Sequence, residues 1–107
     1  MNHICTMNEN KSELELQTLQ LKKAALILRA INHPLRQQML RLTHQQGRIT
    51  VTELYGRLRL EQSVASQHLS ILRKAGFVQT EREGKFIFYS VNYQRLKEIQ
   101  QFIGDII

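Results

Sequence analysis

The segment Gln62-Ser63-Val64-Ala65-Ser66-Gln67-His68-Leu69-Ser70-Ile71-Leu72-Arg73-Lys74-Ala75-Gly76 runs directly into Phe77-Val78-Gln79-Thr80-Glu81-Arg82-Glu83-Gly84-Lys85-Phe86-Ile87-Phe88-Tyr89-Ser90-Val91. The first half has helical spacing over about Gln62 to Ala75, with Ala65, Leu69 and Leu72 on the inner side. Gly76 suits the left-handed residue that ends a helix. The second half alternates instead. Val78, Thr80 and Arg82 point to one side, Ile87, Tyr89 and Val91 share a face on the returning strand, and Gly84 supplies the turn.

Working outward, Leu14, Leu21, Ala24, Ala25, Leu28 and Ile31 recur at a helical period, which predicts a first helix from about Leu14 to Ile31, stopping before Asn32-His33-Pro34. Pro34 fits the first turn of a second helix, where its missing N–H has no intrahelical partner. Leu35, Met39, Leu40 and Leu42 mark the buried side of that helix up to Gln45-Gln46-Gly47. Thr50-Val51-Thr52-Glu53 has capping-box spacing ahead of Leu54, Tyr55 and Leu58, so the third helix is short and capped. After Val91, the residues Tyr93, Leu96, Ile99, Phe102, Ile103 and Ile106 return to helical spacing, with a seam of coiled-coil type. The expected fold is mainly α with a small β-hairpin wing, in the order α-α-α-α-β-β-α. Helices three and four form a helix-turn-helix and the hairpin its wing.

With 107 residues there is material for one core and one domain. Residues 1–12 are polar and unpatterned and are expected to be a disordered N-terminal segment, leaving 13–107 as the domain, and Met7 is an alternative start. No cationic start followed by an apolar run is visible, and no apolar stretch approaches the roughly 20 residues that span a bilayer. A cytoplasmic chain with no membrane partner is expected. Cys5 is the single cysteine, so no intrachain disulfide can form. Lys plus Arg number 15 against 9 Asp plus Glu, a net charge of +6, which suits a polyanionic partner such as nucleic acid or an anionic membrane, and charge alone does not choose between them.

The fourth helix exposes Gln62, Ser63, Ser66, Gln67, Ser70 and Arg73. Amide, hydroxyl and guanidinium groups of this kind reach base edges in a major groove, Gln to adenine and Arg to guanine or phosphate. A merely solvated face would carry Lys and Glu, yet no acid lies between Gln62 and Lys74. Arg82 and Lys85 flank the hairpin tip and can follow the sugar-phosphate backbone, weakened by the neighbouring Glu81 and Glu83. Arg36, Arg41, Arg57, Arg59 and Lys74 are further candidate phosphate contacts, each also an ordinary surface cation. His68 reads as a packing histidine with a hydrogen-bonded ring. Ser66 and His68, two apart, share no helical face and make no nucleophile-base pair, so enzyme chemistry is not expected. His3 and Cys5 are soft metal donors, but a closed zinc site needs four well-placed ones. No metal and no cofactor are expected.

The runs Leu28-Arg29-Ala30-Ile31-Asn32-His33-Pro34-Leu35-Arg36, Val64 to Val78 and Arg82-Glu83-Gly84-Lys85-Phe86-Ile87-Phe88-Tyr89 resemble, in this order, the ArsR/SmtB transcriptional repressors over residues 14–106. The resemblance implies a bacterial or archaeal homodimer joined through its first and last helices, with Leu14, Leu21, Leu28, Leu96, Ile99, Phe102, Ile103 and Ile106 as interface residues. It also implies a palindromic double-stranded operator. The chain departs from the family pattern at several places. Thr50-Val51-Thr52-Glu53-Leu54 stands where many members carry a Cys-x-Cys thiolate pair. The last helix offers only Glu98 toward the family's Asp and His ligands, and the second cysteine of the redox sensors is missing. The inducer is left open. Arg59 replaces a common turn glycine and Glu61 a common capping serine. The alternative reading is a winged helix used for protein interaction or dimerisation, without operator binding of its own.

Overall fold

The computed structural model describes residues 3–106, with side chains placed over residues 11–105. Its elements are α1 (His3–Ile31), α2 (Pro34–Gln46), β1 (Ile49–Thr50), α3 (Val51–Leu58), α4 (Gln62–Ala75), β2 (Val78–Glu83), β3 (Phe86–Val91) and α5 (Tyr93–Ile106). The helix-turn-helix and the wing fall where the spacing places them. Two boundaries differ. α1 begins earlier than Leu14, and a strand, β1, precedes α3.

α1 is 29 residues long, about 44 Å of helix, and among its described side chains the buried ones lie in its last turns. There Ala24, Ile27 and Ala30 are buried, two of them small enough to let the backbone of α1 approach its neighbours. Leu14, Leu16, Leu19, Leu21, Leu26 and Leu28 all remain exposed. Among the described residues, no helix is long and apolar enough to cross a membrane.

α1 hands over to α2 within two residues. The His33 ring Nδ1 accepts from the Leu35 N–H at 3.2 Å, capping α2, and Pro34 takes the first helical position. Thr43, fully buried, donates its hydroxyl to the Met39 carbonyl at 2.8 Å, and among the described residues no buried side-chain nitrogen or oxygen lacks a partner. Gly47, at φ +78°, turns the chain into β1.

β1 pairs antiparallel with β3, Ile49 opposite Tyr89 and Thr50 opposite Phe88. β3 therefore lies between β1 and β2. Opposite partners on β2 and β3 are Val78 and Val91, Thr80 and Tyr89, Arg82 and Ile87. These pairs share one face, as the alternation predicts. It is buried at the Val78–Val91 end and exposed at the tip. The core beneath consists of Met39, Ile49, Leu54, Leu69 and Leu72, all at 0 % exposure, joined by Ala65, Phe77 and Ile99. With Ile27 and Ala30 of α1, it receives a side chain from every helix and from the stem of the sheet.

Candidate nucleic-acid interface

The site is built from the turn before α4. Thr50 caps α3 by accepting from the Glu53 N–H at 3.1 Å, while its hydroxyl donates to Glu53 Oε1 at 3.1 Å. The carboxylate thus meets the capping hydroxyl rather than the cap's N–H. α3 then ends on Arg59 in the left-handed conformation, φ 54° and ψ 48°. Among the described residues it is the only non-glycine with positive φ. Glu61 opens α4 without any side-chain cap. The two departures noted in the sequence are therefore two local weaknesses in the turn itself, one conformational and one in unpaired N–H groups.

α4 turns Ala65, Leu69 and Leu72 into the core at 0 % exposure and leaves Gln62, Ser63, Ser66, Gln67, Arg73 and Lys74 exposed. Ser70 is half-buried at the edge of the same face. Gly76 ends the helix at φ 92°, with its N–H donating to the Arg73 carbonyl at 3.0 Å and the Phe77 N–H to Leu72 at 2.9 Å. A β-carbon there would also lie 2.6 Å from Cγ of Arg95 on α5. Glycine is required for both reasons.

Arg36 corrects an expectation. Read as one of the surface cations able to touch phosphate, it is 8 % exposed and fully engaged. Its Nε donates to the Ala30 carbonyl at 2.6 Å and its Nη2 to Arg29 at 3.0 Å, satisfying carbonyls at the end of α1. Its Nη1 lies 3.1 Å from His68 Nδ1 on α4. A guanidinium only donates, so Nδ1 of His68 accepts and the ring proton sits on Nε2. The His68 ring also packs at 4.8 Å, tilted, on His33. Burial first, then His33, then Arg36 hold its pKa below the usual histidine value. His68 is thus the packing histidine expected, and it clamps α4 to the α1–α2 corner.

In the wing, Arg82 and Lys85 are exposed at the tip. Arg82 Nε donates to the Gly84 carbonyl at 3.2 Å, holding the turn, and the Lys85 ammonium lies 5.5 Å from the Phe86 ring centroid. One cation there was missed by sequence reasoning. Arg48, just before β1, binds Glu83 through two hydrogen bonds, Nη1 to Oε1 at 3.0 Å and Nη2 to Oε2 at 2.6 Å, and its guanidinium carbon lies 3.6 Å from the Phe88 ring centroid. The bond to Arg48 holds the Glu83 carboxyl below the usual carboxylate range.

Of the residues expected at a dimer seam, Leu14, Leu21 and Leu28 are exposed, and Leu96, Phe102 and Ile103 are half-buried against the core. Ile99 is 5 % exposed and belongs to the chain's own core. The side chain of Ile106 lies outside the described residues, as do those of His3 and Cys5. Among the described residues no three His, Cys, Asp or Glu side chains come together as a metal site.

An exposed polar helix face free of acids, seated on a buried stem beside a hairpin with a cationic tip, defines a winged helix-turn-helix DNA-binding protein. A helix-turn-helix domain model matches residues 31–81. The chain is 35 % identical over 85 residues to a helix-turn-helix-type transcriptional regulator of Methanocaldococcus jannaschii, covering 79 % of this chain and 96 % of that one. It is 45 % identical over 67 residues to the biofilm growth-associated repressor of Agrobacterium fabrum, covering 63 % of this chain and 56 % of the relative. Among solved structures, it superposes on the homodimeric winged helix-turn-helix DNA-binding domain of a possible ArsR-family regulator from Mycobacterium bovis. That match has a TM-score of 0.68 and 26 % identity, over 83 % of this chain and 84 % of the other. The chain belongs to the ArsR/SmtB family of winged helix-turn-helix transcriptional regulators and is a DNA-binding regulator of transcription.

Proposed function

We propose that the chain acts as a homodimeric repressor that occupies an imperfectly palindromic operator. Two α4 helices, carrying Gln62, Ser63, Ser66, Gln67, Ser70, Arg73 and Lys74, enter successive major grooves about 34–36 Å apart. Arg82 and Lys85 follow the backbone. The observation that carries this reading is the exposed, acid-free face of α4 over a fully buried Ala65-Leu69-Leu72 stem. The exposed leucines of α1 support pairing through the first helix, and the relative from Mycobacterium bovis is itself homodimeric. The repressing sign follows the Agrobacterium fabrum relative. Residues 13–107 form the DNA-binding and dimerisation domain. The regulator works without the family's thiolate or last-helix metal ligands, without a cofactor and without an enzymatic step, and no inducer is assigned.

The test is a titration of the promoter region upstream of the chain's own gene at two salt concentrations, with random duplex as competitor. Selective, salt-dependent binding by a dimer is expected. Ser66→Ala with Gln67→Ala is expected to reduce operator preference by about tenfold or more while leaving dimerisation intact. Lys85→Ala is expected to weaken all duplexes alike and lower the salt slope. Equal binding to operator and random duplex would overturn the reading in favour of an interaction module.

A further inference from the structure

The outer face of the wing holds a charge arrangement that the DNA-binding reading leaves unexplained. Along β2 and β3, Glu81, Glu83, Phe86 and Phe88 fall on the face opposite Val78 and Val91. Two carboxylates on a hairpin that lies beside phosphates repel them. One is answered within the chain. Arg48 reaches Glu83 across 35 residues of sequence with a two-bonded fork, and Phe88 supports the flat of the guanidinium. Both partners stay open to solvent, with side-chain exposures of 44 % and 52 %. An ion pair this exposed contributes little to folding. Its consequence lies in the field that the wing presents.

Resting on the DNA-binding reading above, we propose that Arg48 is a further determinant of DNA affinity that acts without touching DNA. It is the internal counterion of Glu83, and it makes the wing tip neutral there, so that Arg82 and Lys85 dominate what the backbone meets. Glu83 in turn keeps Arg48 away from phosphates. The pair sets how strongly the wing grips any duplex, and leaves base reading to α4.

A charge cycle on the full-length protein tests this, with operator affinity and salt slope measured for each variant and thermal melts confirming the fold. Arg48→Ala leaves one carboxylate uncompensated beside phosphates and is expected to weaken binding about fivefold at low salt. Glu83→Gln releases Arg48 to a phosphate, so binding tightens and the salt slope steepens by about 0.9. The double variant, neutral at both positions, returns to within about twofold of the original affinity and slope. A double variant as weak as Arg48→Ala, with a slope shallower by about 0.9, would make Arg48 a direct phosphate contact and overturn the proposal. Failure of the unmodified protein to prefer its operator would instead remove the underlying reading, and this inference with it.

Discussion

The two parts proposed to face DNA, α4 and the wing, are held in opposite ways. α4 is seated by three side chains at 0 % exposure and clamped by a buried arginine that also closes the end of α1. β2 beyond Val78 is exposed at every position and is kept in place by strand pairing and one exposed ion pair. Base edges are read by bonds that fail with small displacements, so the reading element needs a rigid stem. Phosphates are met through charge, which tolerates a more compliant arm.

That contrast can be broken most forcefully from below α4. Leu69→Ala empties a fully buried position and is expected to destabilise the fold by about 3 kcal/mol, read as a lower urea midpoint at unchanged slope. Arg36→Ala strands the Arg29 and Ala30 carbonyls and frees His68. A loss of about 2 kcal/mol is expected by the same measurement, together with reduced operator preference as α4 loosens. Glu61→Ser works in the other direction. It supplies the missing cap at the start of α4, and a gain of about 1 kcal/mol is expected in chemical denaturation. A shallower effect is expected from pH. His68 has a depressed pKa in the folded chain, so the folded state binds fewer protons than the unfolded one. Its contribution is complete above the ordinary value of 6.5 and is lost as pH falls through the folded pKa. Urea midpoints measured between pH 7.5 and pH 5 should decline, and His68→Gln should remove most of that decline. The carboxylates Glu83 and Glu98, whose pKa values are also depressed, act only below about 4.5 and do not enter this window. On the wing, Arg48→Ala should leave the urea midpoint unmoved, because the pair is solvent-exposed. A clear drop there would erase the distinction between the two regions.

Sequence reasoning reached α3, α4 and the hairpin because their signals are local: apolar residues at helical spacing, glycines at Gly76 and Gly84, and the Thr50–Glu53 cap of α3. β1 escaped because two residues cannot display an alternation, and Ile49–Thr50 becomes a strand only when β3 lies beside it. Arg36 was read as a surface cation because nothing in its neighbours announces that a guanidinium closes a helix end six residues earlier. Arg48 was passed over for the same reason, its partner lying far along the chain. On α1 the apolar repeat marked a helix, though one that begins earlier than Leu14, and of its members Ala24 lies on the buried side, which is completed by Ile27 and Ala30. Small residues pack where the helix approaches closely, and the leucines face outward.

Those six leucines on α1 have a consequence for the cell rather than for the fold. A protomer that keeps so much hydrocarbon in water gains by mass action whenever a second copy covers it, so pairing and stability rise together with concentration. The number of copies present then becomes an input in its own right. For the proposed dimeric repressor, dilution at cell growth would weaken operator occupancy through both dimerisation and folding, and such a regulator acting on its own promoter would correct its abundance with no small-molecule signal at all.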